Sequence, residues 1–186
     1  MAKVQNNIFV RGLSGSLGDQ FVVRKGKAGN TVISNKPVFS PQREFNASQL
    51  AHQDAFREAI AYAKSAKDEM IYITRAQGTT MSAFNAAVAD WFNKPEVLEI
   101  DTTGWNGTIG QTIRVKAQDD IQVMKVHVQI TDGVGNVLEE GEAVQGNGLW
   151  WDYTTTTSVA SATTAKVKAT AYDLPGNNHM LLWEYN

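Results

Sequence analysis

The sequence predicts an α+β chain: an N-terminal extended β-hairpin arm, a short helical segment and a C-terminal antiparallel β-sandwich of about seven strands. Three observations carry this expectation. Near the start, β-branched residues in Phe21–Lys25 and Thr31–Asn35 flank a turn supplied by Gly26, Gly29 and Asn30. Over residues 46–93, apolar residues recur at helical spacing. Beyond residue 96 the period changes to alternation, broken by turn residues. The divisions are therefore set at 1–45, 46–95 and 96–186.

The arm begins with a strand candidate at Asn6–Arg11, followed by a Gly/Ser loop at Gly12–Gly18. The loop reads as a flexible connector, or as backbone packed tightly against a neighbour. A phosphate cradle fits less well, because no lysine stands in P-loop register and a strand follows instead of a helix. Pro37 and Pro41 close the hairpin and argue against helix there. A lone two-stranded hairpin is marginally stable in water. It needs something to lean on, and the first 45 residues hold few large apolar side chains.

In the helical segment, Asn46 and Gln49 have capping-box spacing, with Ser48 as an alternative cap. Phe56, Ala59, Ile60 and Ala63 mark a helix that runs to about Lys64–Ala66. Met70–Ile73 is β-prone, but Gly78 sits where a helix C-cap belongs, which favours a second short helix. Thr79–Ser82 starts a third, with Phe84, Ala87, Val88, Trp91 and Phe92 as its apolar stripe. Asn93 and Pro95 stop it. Helices this short make a thin core and need a further surface to cover.

Strands are expected at roughly 97–102, 111–117, 122–131, 136–143, 148–155, 165–172 and 179–185. Ile113, Val115 and Ala117 alternate with polar residues, as do Val126, Val128 and Ile130, and Val167, Ala169 and Ala171. This is the spacing of an immunoglobulin-like sandwich, here without cysteine and so without an inter-sheet disulfide. Trp150 or Trp151 fills its core. Neighbours on a strand face opposite sides, so the other is covered by the helices or exposed at a contact.

Several segments together resemble a known group. They are Gly12-Leu-Ser-Gly-Ser-Leu-Gly18, the hairpin ending Asn35-Lys-Pro37, and Phe56-Arg-Glu-Ala-Ile-Ala-Tyr-Ala-Lys64. Ser82-Ala-Phe-Asn-Ala-Ala-Val-Ala-Asp-Trp-Phe92 and the sandwich ending Asp173-Leu-Pro-Gly-Asn177 complete the set. In this order they look like a group of small proteins from Bacteroidota genomes and their prophages, over nearly the whole chain. The resemblance implies this architecture and a virion or assembly role. No activity is known for that group, so it implies no site residue.

The 186 residues are 42% hydrophobic and 19% charged, which are globular values. Absence of cysteine excludes disulfides, thiolate zinc sites and cysteine nucleophiles. The N-terminus shows no signal-peptide core and no stretch reaches a membrane span, so a cytoplasmic or virion location is expected. The net charge of −2 is unevenly placed. Residues 1–45 carry seven basic and two acidic residues, or +5; residues 94–186 carry six basic and twelve acidic, or −6.

No catalytic signature stands out. His52, His127 and His179 lie far apart without a second ligand at helical spacing, and nothing resembles a nucleophile elbow. No enzyme, cofactor or small-molecule substrate is expected. Asp119, Asp120, Asp173, Asn177 and Asn178 fall in the second–third and sixth–seventh strand loops, which meet at one end of a sandwich. They are secondary calcium candidates, with ordinary turn chemistry as the main reading.

The expected function is structural: a self-assembling subunit of a filament, tube or virion. The arm docks on a neighbouring copy by strand exchange, giving a head-to-tail homo-oligomer. The contact residues expected are Phe21, Val23, Arg24, Lys25, Lys27, Val32 and Ile33. The alternative is a carbohydrate- or surface-binding module using Trp91, Trp105, Trp150, Trp151 or Trp183 as a stacking platform. A third reading is nucleic-acid binding through Arg24, Lys25 and Lys27. No membrane partner is expected.

Overall fold

The computed structural model describes residues 2–4, 13–25, 30–39, 44–160, 162 and 164–184. The chain divides into two compact units, Met1–Phe56 with Gly78–Met81, and Arg57–Gln77 with Ser82–Asn186. One division thus falls inside the first helix, and the helical segment is not a unit of its own.

In the first unit, β1 (Ala2–Val4), β2 (Gly15–Leu17), β3 (Phe21–Lys25) and β4 (Thr31–Asn35) form an antiparallel sheet ordered β1-β4-β3-β2. The expected hairpin is its centre, with Val23 opposite Ile33. It therefore leans on two flanking strands of its own chain. The Gly/Ser stretch is not a connector, since Gly15–Leu17 is a strand paired with β3. Nor is it tightly packed, because a Cβ at Gly15 or Gly18 would meet nothing within 4 Å. What Gly18 supplies is a φ of +63° in the β2–β3 turn. Asn6–Arg11, Gly12, Gly26, Lys27, Gly29 and Pro41 lie outside the described residues.

Three helices follow. α1 (Ala47–Ala66) opens with the expected capping box. The Gln49 amide donates to Asn46 Oδ1 at 2.8 Å, and the Asn46 amide donates to Gln49 Oε1 at 3.1 Å. α2 (Met70–Ala76) is helical despite its β-prone residues, and Gly78 follows it at φ +71°. α3 (Ala83–Phe92) is capped by Ser82, whose Oγ accepts from the Asn85 amide at 3.1 Å. No helix of the described residues is long and apolar enough to cross a membrane.

The rest of the second unit is mostly strand: β5 (Glu96–Asp101), β6 (Thr112–Gln118), β7 (Lys125–Thr131), β8 (Val137–Glu142), β9 (Val144–Gln145), β10 (Trp150–Thr154), β11 (Lys166–Tyr172) and β12 (Asn178–Glu184). They form two antiparallel sheets, ordered β5-β6-β10-β9 and β12-β11-β7-β8. Inward residues of both sheets share one core, including Ile113, Val115, Val126, Val128, Ile130, Trp151 and Val167. The arrangement is sandwich-like. Trp151 is the core tryptophan, whereas Trp150 faces outward beneath the Arg114 guanidinium, 4.5 Å from the ring centroid.

The helices have a second, smaller core: Ala63, Ala66, Tyr72, Ala86 and Ala87. Ile121, from the β6–β7 loop, and Leu174, from the β11–β12 loop, pack against it. The surface that these helices cover is thus the loop end of the sandwich. α3 differs from expectation here. Phe92 is exposed, and Phe84, Val88 and Trp91 are only half-buried. The fully buried face is Ala86, Ala87 and Asp90, because small side chains let Tyr72 approach closely.

Candidate functional site

The loop end of the sandwich gathers carboxylates. Asp90 occupies the helical position three residues beyond buried Ala87 and is itself 0% exposed. Asp119 and Asp120 follow β6, and Asp173 follows β11. Asp90, Asp119 and Asp120 each present one carboxylate oxygen, and these lie within 4.8 Å of one another.

Each side chain is positioned by local bonds. The buried Tyr72 hydroxyl donates to Asp90 Oδ2 and also pairs with the Tyr62 hydroxyl at 2.7 Å. The Ile121 and Gln122 amides donate to Asp119 Oδ2 at 3.0 and 2.8 Å. Asn93, the C-cap of α3, donates from Nδ2 to Asp120 Oδ2 at 2.8 Å. Asn177 Nδ2 donates to Asp173 Oδ2 at 2.8 Å and to the Trp91 carbonyl at 3.1 Å. The bonds to the four carboxylates each use an Oδ2. The buried Oδ1 atoms of Asp90, Asp119 and Asp173 have no hydrogen-bond partner among the described residues.

The electrostatics are adverse. Burial, together with the neighbouring charges of Asp119, Asp173 and Asp120, outweighs the Tyr72 hydrogen bond and pushes Asp90 up to about 7. Burial also raises Asp173. Among the described residues, no lysine or arginine forms an ion pair with any of the four. A cleft of about 330 Å³, lined by Met70, Ile71, Thr74, Arg75, Asp120 and Ile121, opens beside the group.

Glu139 is an instructive contrast. It too is buried, but it accepts from the Tyr153 hydroxyl at 2.9 Å, the Thr156 amide, the Thr156 hydroxyl at 2.9 Å and the Thr157 amide at 3.1 Å. Burial works to raise its pKa, yet these bonds outweigh that and hold it below the ordinary carboxylate value. Both of its oxygens are used. Glu139 therefore ties β8 to the segment after β10 and is complete without a ligand.

Of the sequence candidates, the structure joins Asp119, Asp120 and Asp173 and adds Asp90, which the sequence reading missed. Asn177 serves as a hydrogen-bond donor that anchors the end of α3, and Asn178 opens β12. The histidines stay apart. His179 Nδ1 accepts from the Val97 amide at 3.0 Å, a structural link between the two sheets. The tryptophans form no shared platform: Trp105 and Trp151 are buried, Trp91 and Trp183 are half-buried, and Arg114 and Lys116 sit over the Trp150 ring.

In the arm, Arg24 and Lys25 are exposed, and Val32 and Ile33 are half-buried. Val23, an expected contact residue, is only 4% exposed within its own chain. Phe21 is exposed. It lies directly opposite Leu17 across β2–β3, and the two are 38% and 54% exposed.

No protein-family model and no curated protein matches the chain. Among solved structures, an engineered protein is 20% identical with a TM-score of 0.35; the match covers 54% of this chain and 25% of that one. A conjugative transposon lipoprotein from Bacteroides eggerthii is 13% identical with a TM-score of 0.26, over 50% of this chain and 96% of that one. Likeness at this level carries no function across.

Proposed function

We propose that the protein is a structural subunit that assembles with copies of itself through its N-terminal sheet. One observation carries this reading: the Leu17–Phe21 pair beside the free edge of β2. β2 is exposed along its length and, among the described residues, pairs only on its β3 side. Its outer backbone groups can receive a strand from another molecule, and the apolar pair adds area that loses water on contact.

A second copy is the occupant because of charge. The basic first 45 residues match the acidic last 93 in magnitude and oppose them in sign, as the +5 and −6 balances show. A contact between unlike surfaces of identical chains propagates as a ring or a filament. The second unit suits the role of a spacer or displayed domain. Its strand order, with β5-β6-β10-β9 facing β12-β11-β7-β8, follows the ABED and GFCC′ arrangement and supports an immunoglobulin-like reading. Membership of the Bacteroidota and prophage group rests on the quoted segments alone.

The test is light scattering after size exclusion, with negative-stain microscopy, on the full chain and on a Leu17→Glu/Phe21→Glu double variant. Wild type should run above monomer mass, and the variant should run as monomer with an unchanged second-unit melting transition. A wild-type chain that stays monomeric at high concentration ends the proposal.

A further inference from the structure

We infer that Asp90, Asp119 and Asp120 hold a calcium ion where α3 meets the β6–β7 loop. Three features point to a cation at this place. First, the donor set is all carboxylate oxygen, the preference of a hard divalent ion and a poor match to zinc or copper. Second, the spacing suits calcium. Oxygens within 4.8 Å of one another can all reach one ion at calcium's bond length of about 2.3–2.6 Å. Magnesium binds at about 2.0–2.1 Å in strict octahedral geometry and keeps several waters, which fits a set of converging carboxylates less well.

Third, and independent of the clustering, is the pattern of unused oxygens. Asp90 is wholly buried and Asp173 is 4% exposed, yet each keeps an Oδ1 without a partner. Asp119 keeps a buried Oδ1 as well. Buried polar atoms are nearly always satisfied, and exceptions call for an unseen ion or water. Among the described residues, the side-chain and loop donors to Asp90, Asp119 and Asp173 reach the other oxygen of each carboxylate, and the donor to Asp90 is a tyrosine, not a cation. A divalent ion gives the idle oxygen of buried Asp90 a partner and offsets the repulsion among the three converging carboxylates. Asp120 also lines the adjoining cleft, together with Arg75.

The ion would join a helix to a loop far from it in sequence, so it should act on stability. The experiment uses the full chain freed of metal with EGTA, then thermal unfolding and isothermal titration with calcium chloride and, separately, magnesium chloride. At about one hundred times its dissociation constant, calcium should raise the melting temperature by roughly 5–10 °C. Asp119→Asn and Asp120→Asn should lose the shift and the heat of binding. Asp90→Asn should melt above wild type in EGTA, because a buried charge is gone, and should not respond to calcium. The proposal is overturned by a wild-type melt that neither ion moves, or by a calcium shift that survives in both loop variants. A magnesium shift equal to that of calcium would overturn the choice of ion.

Discussion

At the scale of single residues, the buried carboxylates Glu139 and Asp90 behave oppositely. Glu139 is held below its ordinary value of 4.5, so the folded state binds its proton more weakly than the unfolded chain does. Its contribution is complete above about pH 4.5 and is lost as pH falls through the folded value. Glu139→Gln should lower the melting temperature by about 4–10 °C at pH 7, for a loss of about 1.5–3 kcal/mol, and should flatten the acid limb of a melting-versus-pH curve. Tyr72→Phe removes the hydroxyl donor to Asp90 together with the Tyr62 contact. It should cost about 1–3 kcal/mol by chemical denaturation in EGTA. Sequence made the three loop aspartates visible, because Asp in a turn between alternating strands is easily placed. Asp90 was hidden for a physical reason. On a helix, aspartate reads as a solvated residue, and the signal against that reading is its spacing from Ala83, Ala86 and Ala87, a row of small side chains.

Among the elements, helix boundaries were the most legible, because caps are local chemistry. Asn46 with Gln49, Ser82, and Gly78 fixed three of them. Ser82→Ala should destabilise the second unit by about 1 kcal/mol, read from a shifted denaturation midpoint with unchanged slope. Which face of α3 is buried was less legible. The large apolar residues Phe84, Trp91 and Phe92 suggested one stripe, while the close approach of Tyr72 selects the alanine face next to it. Ala87→Leu should therefore be more harmful than any change at Phe92, costing about 1–3 kcal/mol through overpacking. The sandwich strands were readable from alternation. β2 was not, since three residues rich in Gly and Ser become a strand only because β3 offers them a partner.

For the whole molecule, the sequence revealed a charge asymmetry and two kinds of folded segment, but where one unit ends and the other begins depends on contacts among distant residues. If copies join basic end to acidic end, salt weakens the joint. Raising salt from 0.1 M to 1 M shortens the screening length from about 10 Å to about 3 Å. The weight-average mass of wild type, measured by light scattering, should fall across that range. A mass that rises instead would assign the joint to Leu17 and Phe21 with little help from charge.

The margins of the two larger sheets have a further consequence. β5 carries an irregularity between Val97 and Glu99, β9 is only two residues long, and β8 is interrupted opposite Ile130 and Thr131 and carries Glu139, Glu140 and Glu142. Kinked, stunted or acidic borders are poor templates for further pairing. In a crowded array of these subunits those three borders would thus resist the pairing that seeds amyloid. β12, a regular seven-residue border strand with Met180 and Leu182 exposed, is where such pairing would start.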